Sequence, residues 1–370
     1  MKILWFWPHP HREVSGLALA ALTPGDDLTV QALSAYDGEA LGGVFPYEVV
    51  RDLPDPVVRG GLRRMRSLSR ALRRLLARRR LVSKCQPDVV HVQTLVYELD
   101  AFDLRRLARR VAVVAVVHDV TPHVPRLPGW AQAWCHRRVY GSPVELVVYH
   151  QWLASRLTEG FGVDPDRLHV LPLALDAHRR TSPRPVDGTV LFFGSLRRNK
   201  GLDVLLAALN ILDREDVRCV IAGAADDATY QRLRAAVASS SSEIRLELGH
   251  VTDERKWELF DAASVVVLPY TAFESQSGVL ADAYAARRPV VVTDVGALGD
   301  AVRQDGTGVV VTPRDPRALA DGLREVLSGP SARYRDALDA AAARQSRDVV
   351  GRRLRDVYDA AVARRVASDP

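Results

Sequence analysis

Apolar residues in this chain follow two rhythms. Short β-branched runs recur along it, and between them apolar positions return every three or four residues. In the first half the runs are "KILWFW" at the start, "DVVHVQ" (88–93), "VAVVAVVHDV" (111–120), "LVVYH" (146–150) and "LHVLPL" (168–173). Each reads as a buried strand. Helical stretches separate most of them, and such alternation predicts a parallel sheet covered on both faces. At "DAHRRTSPRPVDG" (176–188) the pattern stops in a polar segment with two prolines and no apolar period, which reads as a linker. It then restarts with the strands "TVLFFG", "VRCVIAG", "IRLELGHV", "SVVVLPY", "PVVVTDVG" and "GVVVTP". Helical "LDVLLAALNIL", "DERKWELFDAA", "SGVLADAYAA" and "DPRALADGLREVL" lie among and after them, and from Ser331 the chain reads as helical almost to its end. The expectation is an α/β chain of two Rossmann-like domains, 1–176 and 177–350, with a helix and tail at 351–370. Ligands of such sheets bind beyond the carboxyl ends of the strands.

Composition narrows the class. The chain has 370 residues, 47% hydrophobic and 26% charged, which suits two soluble domains. The longest apolar run, "VAVVAVV" (111–117), is far below the roughly 20 residues that a membrane span needs. The opening residues lack an apolar core followed by a small-residue cleavage site, so a cytoplasmic protein is expected. Cys85, Cys135 and Cys219 are too scattered to suggest a disulfide framework or a zinc site. The net charge of +6 is uneven: "RGGLRRMRSLSRALRRLLARRRLVSK" (59–84) holds ten arginines, one lysine and no carboxylate. Its leucines and Met65 recur at helical spacing, so the segment reads as a basic amphipathic helix. It is suited to peripheral contact with an anionic membrane or a phosphorylated partner, or it is simply a solvated outer helix. No nucleic-acid partner is expected.

Candidate chemistry collects at strand ends. No GxGxxG follows the first strand of either half, which argues against a dinucleotide. "DPD" (164–166) could be a metal-binding Asp-x-Asp, but before a strand it is ordinary turn chemistry. In "LFFGSLRRNKGLDVLL" (191–206), Arg197, Arg198 and Lys200 surround a helix start, where free amides already favour an anion. Lysine is scarce here, occurring only at 2, 84, 200 and 256, so Lys200 stands out from the arginine background. In "ESQSGVLADAYAARRPVVV" (274–292) a helix begins at Ser277-Gly278, where glycine lets a ligand approach the backbone. Asp282 follows one turn later on the same face and can accept from two neighbouring hydroxyls, while Glu274 precedes the helix and can hold others. Diphosphate on amides and cations, with polyol on carboxylates, describes a sugar nucleotide.

The motifs "GSLRRNKGLD", "GHVTDERKWELFDAASVVVLPY", "ESQSGVLADAYAARRPVVVTDVGALGD" and "DGTGVVVTPRDPRALA" occur in that order over residues 189–330. Together they resemble the donor half of retaining, family 4 glycosyltransferases of the B fold. The resemblance implies two Rossmann-like domains facing each other across a cleft, with the C-terminal helix packing back toward the first. It implies Arg197, Lys200, Ser277 and Gly278 on the donor diphosphate, Glu274 on the transferred sugar and Asp282 on the nucleotide ribose. The second acid of the family's pair is Glu, whereas here it is the shorter Asp282. "VAVVAVVHDVTPH" resembles the family's His-Asp element, which makes His118 a residue near the reacting centre. The first loop offers only Gly16 as a diphosphate contact, where the family has paired glycines. The implied donor is a UDP-sugar ahead of a GDP-sugar, and the acceptor a glycolipid, polysaccharide or secondary-metabolite precursor. No cofactor or metal is expected. A sugar-nucleotide epimerase or phosphorylase of the same fold, and a non-catalytic two-lobed binding protein, remain open alternatives.

Overall fold

The computed structural model describes residues 1–6, 17, 20–33, 48–52, 75–120, 127–175, 185–238, 240, 242–273, 277–330 and 332–367. The chain divides into two compact units, Met1–Pro172 with Val350–Pro370, and Leu173–Val349. The first is built on a seven-stranded sheet. Its strands are β1 (Lys2–Phe6), β2 (Asp27–Leu33), β3 (Glu48–Asp52), β4 (Val89–Val92), β5 (Ala112–Val117), β6 (Glu145–Val148) and β7 (Leu168–Val170). They lie in the order β3-β2-β1-β4-β5-β6-β7, and all pairs are parallel. Both faces are covered, so β4, β5 and β6 are buried at every position. That explains their continuous apolar reading.

The second unit repeats the plan. Its strands are β8 (Thr189–Phe193), β9 (Arg218–Gly223), β10 (Glu243–Leu248), β11 (Val265–Leu268), β12 (Val290–Thr293) and β13 (Gly308–Val311). The order is β10-β9-β8-β11-β12-β13, again wholly parallel. Strand order therefore reverses between β1 and β4 in one sheet and between β8 and β11 in the other, where a doubly wound sheet opens a crevice. Two strands escape a search for apolar runs. "DLTVQAL" of β2 alternates with polar residues, and "EVVRD" of β3 is short with polar ends.

The last helix, Arg347–Ala367, belongs to the first unit from Val350 onward. It buries Val350, Leu354, Val357, Tyr358 and Ala361. A Cβ on Gly351 would lie 2.6 Å from the backbone of Ala20, so the helix is seated too closely there for a side chain. Arg355 pairs with Asp26, and Arg364 with the buried Glu145 at 2.8 Å. Deeper in, Trp5 Nε1 donates to the Tyr358 hydroxyl at 3.0 Å, and that hydroxyl lies 3.0 Å from His91 Nδ1. Burial pushes His91 down to about 4, so its Nδ1 is an acceptor for Tyr358 while Nε2 donates to Gln93 Oε1 at 2.8 Å.

Of the basic segment, 59–74 lies outside the described residues, and 75–85 is helical. Two of its arginines turn inward: Arg78 binds Asp100 at 2.7 Å and Arg79 binds Asp103 at 2.8 Å. Both carboxylates are buried, so these cations fasten helix to helix, Arg78 itself buried and Arg79 partly exposed. "DPD" forms a turn, with the Asp164 carboxylate accepting from Asp166 N at 3.0 Å. Among the described residues no helix is long and apolar enough to cross a membrane.

Candidate functional site

The chemistry of the second unit converges at the carboxyl ends of β8 and β11. After β8 the chain passes Gly194 and Ser195 and enters a single 3₁₀ turn, Arg198–Lys200, before the helix Leu202–Leu212. Gly201 closes that turn at φ +71°, and a Cβ there would stand 1.8 Å from the Pro269 carbonyl oxygen. Only glycine allows the turn to press on the end of β11. The Thr271 amide donates to Asn199 O at 2.9 Å and Asn199 Nδ2 to Ala272 O at 3.2 Å, stitching the two loops together.

That close approach sets Lys200 against two rings. Its Nζ lies 3.6 Å from the centroid of Tyr270 and 4.6 Å from that of Phe273. The ring faces hold the ammonium by cation–π attraction. Burial, with the Arg197 cation as a second cause, pulls Lys200 down to about 8. Among the described residues no carboxylate pairs with it, so it stands to gain from an anionic ligand.

Opposite it begins the helix Gly278–Ala285. Ser277 occupies the N-cap position and is 4% exposed, but its hydroxyl does not cap the helix. Ser277 Oγ instead lies 3.1 Å from the Tyr270 hydroxyl. Leu280 N already donates to Ser277 O at 3.0 Å, which leaves the Gly278 and Val279 amides without a partner among the described residues, at the end where the helix dipole favours negative charge. A Cβ on Gly278 would meet none of the described residues within 4 Å. One turn on, Asp282 is held by Lys256 of the helix Asp253–Ala262, Nζ to Oδ1 at 3.3 Å. Lys256 is buried and packs over the Trp257 ring at 4.4 Å.

A cavity of about 240 Å³ joins these groups, lined among others by Gly194, Lys200, Tyr270, Ser277, Gly278 and Asp282. Four of the residues singled out in the sequence thus share one space. Arg197 does not line it. Its side chain is exposed and borders a separate groove with Arg198, Asp203 and Arg232, close enough to Lys200 only to depress its pKa. Glu274 and Gly16 lie outside the described residues. Lys256 was missed by motif reading, although its rarity in an arginine-rich chain was the available signal.

In the first unit, His118 follows β5 and is half-buried. Its Nε2 donates to the Gln93 carbonyl at 2.7 Å, and its ring stands edge-on to Tyr149, centroids 5.2 Å apart. Gln93 also binds His91 and donates to Tyr149, which ties His118 to the Trp5–His91–Tyr358 cluster. Among the described residues no group of three or more His, Cys, Asp or Glu is placed to hold a metal.

Two family models cover most of this architecture. Glycosyltransferase Family 4 matches residues 18–179, and Glycosyl transferases group 1 matches residues 187–329. A phosphatidyl-myo-inositol mannosyltransferase of Mycobacterium leprae is 30% identical over 283 residues, 74% of this chain and 73% of that protein. The chain belongs to the family 4, group 1 glycosyltransferases. A D-inositol 3-phosphate glycosyltransferase of Xylanimonas cellulosilytica is 35% identical over 235 residues, 58% of this chain. That match spans only 56% of the relative's own length. The family's B fold is equally clear: Anabaena HepE, solved in complex with UDP, superposes with a TM-score of 0.75 over 97% of this chain and 100% of its own, at 15% identity. In this family member the two matched regions correspond to the two Rossmann-like sheets.

Proposed function

We propose that this chain transfers a glycosyl group from a nucleoside-diphosphate sugar to an acceptor, with retention at the anomeric carbon. The observation that carries the reading is the cavity at the ends of β8 and β11, which puts a ring-held lysine, open helix amides and an ion-paired aspartate in one space. The diphosphate sits on Lys200 and the first-turn amides of Gly278–Ala285. Asp282, held in place by Lys256, accepts from the ribose diol. As the bond to the sugar breaks, negative charge grows on the departing diphosphate, and Lys200 and the amides stabilise it without reorganising. Arg197 contributes at longer range. Glu274 and Gly16 are proposed contacts of the transferred sugar and the diphosphate. His118 is proposed to act near the sugar, with Nε2 held by the Gln93 carbonyl so that the ring is fixed in orientation.

Support for a uridine nucleotide ahead of guanosine comes from HepE, a likeness of fold bound to UDP. The acceptor class is a glycolipid, polysaccharide or secondary-metabolite precursor; the relatives named for inositol-containing acceptors favour a polyol. No resident metal is needed, because lysine and helix amides supply the positive potential that a cation would. The test is release of free UDP or GDP from a panel of nucleotide sugars, with and without a chelator. Donor-dependent release that persists with chelator is expected. Turnover of the donor without nucleotide release would point to the epimerase, and tight binding without turnover to the ligand-binding protein. A rate lost to chelator and restored by magnesium or manganese would contradict the metal-free step.

A further inference from the structure

The first unit carries an exposed aromatic face that glycosyl transfer does not use. Trp130 is 79% exposed, Phe102 65% and Trp134 41%. Single exposed apolar residues are normal, but these are contiguous. Phe102, on the helix Tyr97–Ala108, and Trp134, on the helix Gly129–Tyr140, have ring centroids 5.3 Å apart. Trp130 lies one helical turn before Trp134, on the same face.

The rim of this patch is mainly cationic. Arg105 and Arg106 follow Phe102 by three and four residues, Arg137 and Arg138 follow Trp134 in the same way, and all four are exposed. Arg138 is held beside the rings: its guanidinium lies 5.2 Å from the Trp134 centroid and its Nε donates to Ala101 O at 3.1 Å. The two helices of the patch offer one partly exposed carboxylate against these four arginines, Glu98, which lies one turn before Phe102 and acts electrostatically on Cys135 and His136. Asp100 and Asp103 are buried and taken by Arg78 and Arg79, and Gly129–Tyr140 carries no acid.

Indole rings favour the headgroup level of a bilayer, where an apolar body and a polar N–H are both satisfied. Arginine stems can lie along apolar surface while their heads meet lipid phosphate, and an anionic leaflet attracts every cation of the rim at once. A second copy docked face to face on the same patch would instead set these arginines against their own images. We propose that the Phe102–Trp130–Trp134 face docks this chain on an anionic lipid bilayer, independently of the 59–74 segment and of the sugar-nucleotide cavity.

The experiment is co-sedimentation of the full chain with phosphatidylcholine vesicles, with and without phosphatidylglycerol, alongside sedimentation velocity without lipid. Binding to the anionic vesicles, a blue shift in tryptophan emission and loss of binding in high salt are expected. Trp130→Ala with Trp134→Ala should weaken binding about tenfold or more, since each ring withdraws apolar area from water. Arg137→Glu with Arg138→Glu should weaken binding to anionic vesicles and leave the weak binding to neutral ones unchanged. Both variants alter exposed side chains, and circular dichroism with turnover of a soluble acceptor checks that the fold is intact. No vesicle binding by the wild type, binding that survives both variants, or self-association abolished by the tryptophan variant would each overturn the proposal.

Discussion

Lys200 is the residue on which most of the site's electrostatics turns. It packs on the ring faces of Tyr270 and Phe273, and burial brings its pKa to about 8. The sign follows directly: protonated Lys200 binds diphosphate, and its charge is lost as pH rises through the folded value. For the free enzyme, kcat/KM should therefore fall on an alkaline limb near pH 8. Lys200→Arg should flatten that limb, because a guanidinium keeps its charge, whereas Lys200→Ala should lower kcat/KM by about 1.5–3 kcal/mol in transition-state terms at neutral pH. An unchanged limb in Lys200→Arg would assign the titration to another group. Asp282 has its own discriminating test. Asp282→Asn keeps the shape and removes the charge that Lys256 balances, and a 2′-deoxy donor removes a hydroxyl without touching the protein. If the two share one interaction, the combined loss in donor affinity is smaller than the sum of the single losses. Strict additivity would mean that Asp282 only answers Lys256 and the helix dipole.

At the scale of elements, the two glycines of the site do different work and a pair of substitutions separates them. Gly201→Ala forces a Cβ into the Pro269 carbonyl at a positive φ, so unfolding should become easier by about 2 kcal/mol or more, read from a urea midpoint. Gly278→Ala places its Cβ more than 4 Å from every described residue on an ordinary backbone, so stability should hold while donor affinity drops, because the methyl group occupies the ligand's approach to the amides. A Gly278→Ala enzyme with wild-type affinity would remove that helix start from the binding surface. The same elements show what could be read from the chain alone. Strands buried on both faces, such as β5 and β12, announce themselves as valine runs. β2 and β3 do not, because an outer strand alternates and its pairing is decided by neighbours far away in sequence. The helices Asp227–Ala238, which buries only Thr229 and Leu233, and Ala297–Asp305, a short element of 9 residues, were also missed. Lys200, Ser277, Gly278 and Asp282 were legible because a local motif carries each. Lys256 was not, since its meeting with Asp282 depends on how β10, β11 and two helices pack, and neither was the removal of Arg197 from the cavity lining.

Across the whole molecule, two copies of one sheet order have taken different duties. The second unit gathers cation, amides and aspartate at its strand reversal, while the first holds His118 at the end of β5 and anchors the chain's last helix through Tyr358, Arg355 and Arg364. The account stands on nucleoside diphosphate binding in the cavity at the ends of β8 and β11. Calorimetric titration of the wild type and of Lys200→Ala with UDP and with GDP tests it most directly. Saturable binding of at least one nucleotide is predicted, weakened about tenfold to a hundredfold in Lys200→Ala with the fold intact. Binding of neither nucleotide, or equal affinity in the two proteins, would contradict it.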